Sequence, residues 1–313
     1  MPDTSEPHSV GKHLLGPHVV GQRVVVRHLL PDGRATDVLG VCTAWGEDAL
    51  VIDREGVGPV QVRLADLVTG KPVPPRASVR QRVSAREAEG HGLALWAATE
   101  RVDLGEWVLR HTPVVAPERP RKRGNSALAM GDAGVPLFHA TNVVRNFYLE
   151  RGATPMVQVL VGSSHEDWFS SLGWEPVPGG DSHFQLAPLS RALRTCNARS
   201  GARERRTNDA GEQLTARCNE EGDRVEVVLG AGTARGRAVL DGDWLGVHGV
   251  FVEPDRRRAG LGTAVMAELL DWGASRGATT AWLHVETDNH AGLAAYEGIG
   301  FVTHHSNRYL AAP

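Results

Sequence analysis

Cysteine is scarce in this chain. Three occur in 313 residues, Cys42, Cys196 and Cys218, odd in number, far apart and without a Cys-x-x-Cys, which argues against a disulfide framework and a zinc site. The expected setting is a reducing cytoplasm. Histidine is plentiful at 14, yet His-Glu-x-x-His is missing. The one dense pair, His304-His305, reads as a solvated strand end whose side chains leave opposite faces, so no metal is expected. No apolar run approaches the ~20 residues a membrane helix needs. The polar opening from Met1 to Ser9 holds no signal-peptide-like hydrophobic segment. Charge of one sign is also lacking: 34 Lys and Arg against 37 Asp and Glu leave −3, no field for holding nucleic acid in bulk. With 41% hydrophobic and 23% charged residues, the chain has an ordinary globular composition. Its length suits about two or three domains.

Residues 1–11 read as a disordered lead-in. Short β segments follow at Arg23–Leu30, Asp37–Ala44, Ala49–Asp53 and Val60–Leu64, with turn signals at Pro31-Asp32-Gly33, Trp45-Gly46-Glu47-Asp48 and Arg54-Glu55-Gly56. The spacing predicts a small closed β-barrel over 12–76. The run Gly21 to Arg27 with Thr36 to Gly40 resembles small Src-homology-3-like or Tudor-like barrels. Trp45 is its only aromatic residue apart from histidines, so an aromatic cage is not expected. Lys71-Pro72-Val73-Pro74-Pro75-Arg76 reads as a linker, and a helix with an apolar stripe is predicted from Ser78 to Ala98.

The rest of the chain is organised around Gly249 to Thr263. Trp244–Val252 is a buried-strand pattern, stopped by Pro254. Arg257-Arg258-Ala259-Gly260-Leu261-Gly262 is a basic, glycine-spaced loop, and a helix opens at Thr263 with Val265, Met266, Leu269 and Leu270 as its apolar face. Strand, glycine loop and helix aim free backbone N–H groups at an anion, which predicts a phosphate site. No Lys-Ser or Lys-Thr follows the second glycine, so a nucleotide-triphosphate loop is a poor match. A third glycine and a distal acidic residue are missing too, so the dinucleotide fingerprint fails.

What fits is Arg-x-x-Gly-x-Gly, which resembles the pyrophosphate loop of the GNAT superfamily of acetyltransferases. Downstream, Ala281 to Asn289, Ala291 to Tyr296 and Gly298-Ile299-Gly300-Phe301 are similar to the rest of a GNAT core. Asn289 and Tyr296 stand seven apart as in that family. The resemblance implies a mixed twisted sheet flanked by helices, of α+β or α/β class, over a catalytic domain at 191–313, and acetyl-CoA as cofactor. Val250, Phe251 and Val252 would polarise the thioester carbonyl through backbone N–H groups, beside a strand disruption expected at Gly249. Arg257, Arg258, Ala259, Gly260, Leu261, Gly262 and Thr263 would surround the pyrophosphate. Tyr296 sits where the family places a phenol beside the coenzyme sulfur, as general acid, and Asn289 would hold the pantetheine or cap the next helix. The base is left open between His284, Glu286 and water. In ribosomal-protein N-terminal acetyltransferases a glutamate five before the Asn serves, and His284 stands there. Glu286, two residues on and on the same face, could orient the imidazole or bind a cationic acceptor.

The middle of the chain looks like a degenerate copy of this unit. Glu150-Arg151-Gly152-Ala153-Thr154 precedes a strand pattern at Met156–Val161 as Ser275-Arg276-Gly277-Ala278-Thr279 precedes Ala281–Val285, and Trp168 to Trp174 mirrors Tyr296 to Phe301. A helix at Leu137–Leu149 matches the one after the basic loop. In the loop's place stands Gly131-Asp132-Ala133-Gly134, whose carboxylate would repel a pyrophosphate. A structural, GNAT-like half is therefore expected over 77–190, an arrangement familiar from tandem members of the superfamily, actinobacterial ones included. The basic run Arg119 to Arg123 reads as a solvated loop, and residues 196–211 as an exposed, mobile one. Together these readings predict an N-acetyltransferase acting on a small-molecule or protein amine, with no membrane and no nucleic-acid partner and with room for a homo-oligomer. The alternative is an acyl-CoA-binding regulatory protein without turnover.

Overall fold

The structure, a computed structural model, describes residues 15–54, 57–73, 79–95, 99–113, 122–199 and 215–313. The expected lead-in over 1–11, linker residues 74–76 and residues 200–211 of the expected 196–211 loop lie outside them, while residues 196–199 are not a mobile loop but the last turn of a helix, Leu189–Arg199, with Cys196 buried. Contacts divide the chain into two compact units, Met1–Ala77 and Ser78–Pro313.

The first unit is an antiparallel sheet of β1 (Arg23–Leu29), β2 (Ala35–Trp45), β3 (Ala49–Arg54), β4 (Gly58–Arg63) and β5 (Leu67–Pro72), in the order β4-β3-β2-β1-β5. Period-two alternation turns Val24, Val26, Val38, Cys42, Leu50, Ile52 and Val62 inward. A single 3-10 turn, Leu64–Asp66, joins β4 to β5 at opposite edges. Four residues reach at most ~14 Å, whereas a flat five-stranded sheet is ~19 Å wide, so the sheet curls. It does not close as the sequence predicted, because no ladder joins β4 to β5 among the described residues. Both edges carry a proline, Pro59 and Pro72, which lacks the donor a closing ladder needs. Lys71-Pro72 belongs to β5, paired with Val25 and Val24, and not to the linker.

The second unit runs α1 (Ala85–Gly92), β6 (Glu100–Leu104), β7 (Trp107–His111), β8 (Ala127–Leu128), α2 (Leu137–Leu149), β9 (Met156–Leu160), α3 (Ser164–Ser171), β10 (Glu175–Pro176), β11 (Ser182–Pro188) and α4 (Leu189–Arg199). It continues with β12 (Ala216–Glu221), β13 (Arg224–Leu229), β14 (Ala234–Asp241), β15 (Trp244–Val252), α5 (Leu261–Ser275), β16 (Thr280–Glu286), α6 (His290–Gly298) and β17 (Val302–Ala311). The helix predicted over 78–98 is only α1. Ser84 caps its start by accepting from the Glu87 N–H at 3.0 Å, and short 3-10 turns flank it.

The internal repeat is visible. β8 and β9 are parallel neighbours joined through α2, as β15 and β16 are through α5. The two halves nevertheless share one sheet, ordered β12-β13-β14-β15-β16-β11-β17-β9-β8-β7-β6. The last strand of each half has crossed into the other: β11 pairs with β16, β17 pairs with β9, and β11 and β17 pair with each other. That exchange is why no division falls near residue 190. Val265, Leu269 and Leu270 of α5 pack on one half of one face, and Val144, Phe147 and Tyr148 of α2 belong to the matching core. On the other face Ala88 and Leu95 cover Phe184, Trp244 and Trp282, with Phe184 and Trp282 stacked at 4.9 Å. Covered on both sides, β16 is almost continuously apolar instead of alternating. Residues 191–313 expressed alone lack β11 and should therefore aggregate through the bared edges of β16 and β17, whereas 78–313 should fold. Circular dichroism and size exclusion of the two fragments check this.

Candidate functional site

β15 is where the site begins. Its first residues pair in parallel with β16, from Trp244–Thr280 to Val247–Leu283, and there the ladder stops. On the other edge its register with β14 slips between Arg235 and Arg237, and Gly249 adopts φ +62°, a left-handed value that glycine takes without strain. The disruption expected at Gly249 is there. Beyond it, Val250–Val252 diverge from β16 and leave an unladdered strand edge.

A cleft of about 680 Å³ opens against that edge, lined by Val250, Phe251, Val252, Arg257, Arg258, Gly260, Leu261, Gly262, Thr263, Asn289 and Tyr296 among others. Of the twelve residues expected to hold the coenzyme, this cleft gathers all except Ala259, which is exposed in the same loop. Arg258 is left-handed at φ +64° and Gly260 at φ +79°, a turn that points successive N–H groups to one side. Gly260 is the N-cap of α5 and supplies no side-chain bond, so the helix's first N–H groups are left for a ligand. Among the described residues, two arginines and no carboxylate line the cleft. Asn289 caps α6 by accepting from Gly292 N–H at 2.9 Å. Tyr296 lies half-buried on α6, its hydroxyl without a hydrogen-bond partner among the described residues, and burial pushes its phenol up.

A second cavity of about 1020 Å³ adjoins the first along the same strand. Val247, His248 and Gly249 line it, with His284, Arg123, Arg224 and Arg237. His284 therefore lines the cavity whose strand residues, Val247 to Gly249, directly precede those of the first cleft. Glu286 does not join it: its side chain is 52% exposed at the end of β16, 3.8 Å from Lys122 Nζ.

The imidazole is oriented instead by Glu89 of α1, a residue the sequence reading passed over. His284 Nε2 is 2.8 Å from Glu89 Oε1, both side chains being under 5% exposed. The same oxygen meets His305 Nε2 at 3.1 Å and the Asn307 amide at 2.6 Å. Burial pushes the Glu89 carboxyl up, but the two imidazoles facing it outweigh that and hold it ionised, well below the usual carboxylate range. Burial pushes His284 down, with the Glu89 charge working the other way. An ionised carboxylate only accepts hydrogen bonds. The neutral His284 ring therefore carries its proton on Nε2 and keeps a lone pair on Nδ1, an assignment that follows from the contacts.

The His304-His305 pair is not the solvated strand end predicted. β17 slips register against β11 between Thr303 and His305, and the extra residue lets neighbouring rings meet, Nδ1 to Nδ1 at 2.7 Å. His304 Nε2 donates to the Val83 carbonyl at 3.1 Å.

In the silent half, acidic groups fill the matching loop. Glu106 Oε2 accepts from Asp132 N–H at 2.6 Å and Asp132 Oδ1 from Gly134 N–H at 2.8 Å, so the donors that would meet a phosphate are taken. Of the basic run Arg119 to Arg123, the described residues are Lys122 and Arg123, and neither is a solvated loop residue. Lys122 donates to the Gly179 carbonyl, and Arg123 enters the larger cavity.

Residues 199–310 match the family described as probable histone acetyltransferase Rv0428c, C-terminal. Ribosomal protein bS18-alanine N-acetyltransferase of Escherichia coli (strain K12) is 44% identical over 52 residues, 17% of this chain and 35% of that one. Mycothiol acetyltransferase of Streptomyces coelicolor is 39% identical over 61 residues, 20% of each. The chain thus spans about a third or less of the curated relatives it matches. Among solved structures, a GCN5-related N-acetyltransferase from Kribbella flavida aligns with a TM-score of 0.51 at 16% identity, covering 74% of this chain and 96% of that one. At that identity the likeness is one of fold.

Proposed function

From the premise that this is a GNAT-fold chain, we propose that it is an acetyl-CoA-dependent N-acetyltransferase, acting on a primary amine by direct attack in a ternary complex. One observation carries this reading: a phosphate-suited cleft and a larger polar cavity meet at a single strand, Val250–Val252 lining the first and Val247–Gly249 the second. Acetyl-CoA supplies an activated thioester. The open helix end of α5, with Arg257 and Arg258, holds the pyrophosphate by backbone N–H groups and charge-assisted bonds. The unladdered edge of Val250–Val252 bonds the pantetheine arm and polarises the carbonyl. His284 Nδ1 takes the proton of the attacking amine, directly or through a water, and Glu89 stabilises the imidazolium so formed. Tyr296 gives its phenol proton to the departing thiolate.

The test is acetyl-CoA-dependent thiol release over a panel of primary amines. His284→Ala should lower kcat/KM about a hundredfold, the low end of general-base effects because water can serve in part, with coenzyme affinity unchanged. In the wild type the acid limb of kcat/KM should lie below the ordinary imidazole value of about 6.5, since burial depresses His284. Glu89→Gln removes the charge that favours the imidazolium, so the limb should move to still lower pH. Full activity and an unmoved limb in both variants would transfer the base role to water or Glu286.

A further inference from the structure

We propose that the larger cavity contains an anion subsite formed by Arg123 and Arg224, and that the acceptor is accordingly a primary amine carrying a carboxylate, of the amino-acid class. This rests on the N-acetyltransferase reading above and narrows its acceptor. Arg123 comes from the silent half, on a 3-10 turn, Lys122–Gly124. That turn is held firmly. Thr112 Oγ1 donates to the Gly124 carbonyl at 3.2 Å, Thr112 N–H donates to Asn125 Oδ1 at 2.9 Å, and a Cβ at Gly124 would come within 2.8 Å of the Thr112 hydroxyl.

Arg123 lines the same cavity as His284. Its Nε is buried and has no hydrogen-bond partner, and no carboxylate of a described residue pairs with it. Arg224 lines the cavity too and, among the described residues, gives its guanidinium to main-chain carbonyls, Leu95 at 3.1 Å and Ala94. The cavity's acidic groups do not neutralise these two. Glu226 is bound by Arg237 at 2.7 Å and Glu220 by Arg276, and Glu221, exposed and opposite Arg224 in the β12–β13 ladder, forms no ion pair with it. Two guanidinium groups that line one cavity and have no carboxylate ion pair among the described residues form an anion receptor, for which the fork of arginine matches a carboxylate. The cavity's own histidine reports that field. Burial, then the charges of Arg237, Arg224 and Arg123, push His248 down to about 4. A volume of about 1020 Å³ is at the upper end of small-molecule sites, roughly 300–1,000 Å³, so an amino acid or a conjugate of one fits. A bare polyamine would bring further positive charge against these arginines.

The experiment is calorimetric titration of the full chain, saturated with free coenzyme A, with two product-like probes that differ only in the carboxylate: N-acetyl-L-leucine and N-isopentylacetamide. The carboxylate probe should bind at least tenfold more tightly to the wild type. Arg123→Gln should erase that ratio, Arg123→Lys should keep most of it, and Kd for coenzyme A should not change in either, which also verifies folding. Equal binding of the two probes, binding of neither, or a ratio indifferent to Arg123→Gln would overturn the subsite. Failure of coenzyme A itself to bind would instead sink the transferase reading, while the same two probes titrated without it still decide for or against the arginines.

Discussion

Tyr296→Phe is expected to lower turnover about a hundred- to ten-thousand-fold, the range for a positioned acid, while leaving the Kd for coenzyme A where it was. The phenol sits in the coenzyme cleft on α6, packs against Phe301 at 6.0 Å between ring centroids and has no other hydrogen-bonding duty among the described residues. Phenylalanine keeps the packing and removes only the proton. Because burial raises the phenol, that proton is in place throughout the neutral range. Any loss of the acid should therefore appear only above the ordinary tyrosine value of about 10. Steady-state kinetics set beside calorimetry makes the comparison. The outcome also separates the two functional readings: a regulatory protein that only senses acyl-CoA needs the loop and not the phenol, so unchanged behaviour of Tyr296→Phe would favour it.

Gly260→Asp should cost the protein its coenzyme. A Cβ at Gly260 meets nothing within 4 Å, so the fold has room for the side chain. The cost comes from two other sources. With φ at +79° the backbone sits where any residue with a Cβ is strained, and the new carboxylate stands where the pyrophosphate would lie. Like charges about 4 Å apart at an effective dielectric constant near 20 repel by about 4 kcal/mol, close to a thousandfold in Kd. The silent half carries out the same substitution naturally, its loop donors being occupied by Glu106 and Asp132. Titration of acetyl-CoA into the variant, with circular dichroism to verify the fold, checks the loss. Retained tight binding would place the pyrophosphate elsewhere.

Much of the site was legible because it is local. From Trp244 to Tyr296 the strand, the glycine-spaced loop, the helix and the capping Asn289 follow from hydrogen-bonding rules that operate within a few residues. The chain had only to be read in order to bring Val250, Arg258, Gly260 and Tyr296 to one cleft. The repeat was legible for the same reason: strand and helix periods recur, and a carboxylate in place of arginine needs no tertiary context to be wrong for a phosphate.

Glu89 and Arg123 were not legible. Glu89 is 195 positions from the imidazole it meets, in a helix read only for its apolar stripe. Arg123 belonged to a charge run that looked solvated. Each is brought to the site by the exchange of β11 and β17, which lays the silent half against the active one. A register slip that sequence periodicity cannot show then turns His304 and His305 toward each other. The sequence by itself determined the glycine-spaced loop, the helix that carries Tyr296 and the doubled architecture, since these rest on backbone conformation and near-neighbour spacing. Only the tertiary structure decided which carboxylate meets His284 and which cations line the larger cavity. Buried charges take whichever partners distant segments bring within about 3 Å, because outside water an unpaired charge costs far more than any local preference can offset.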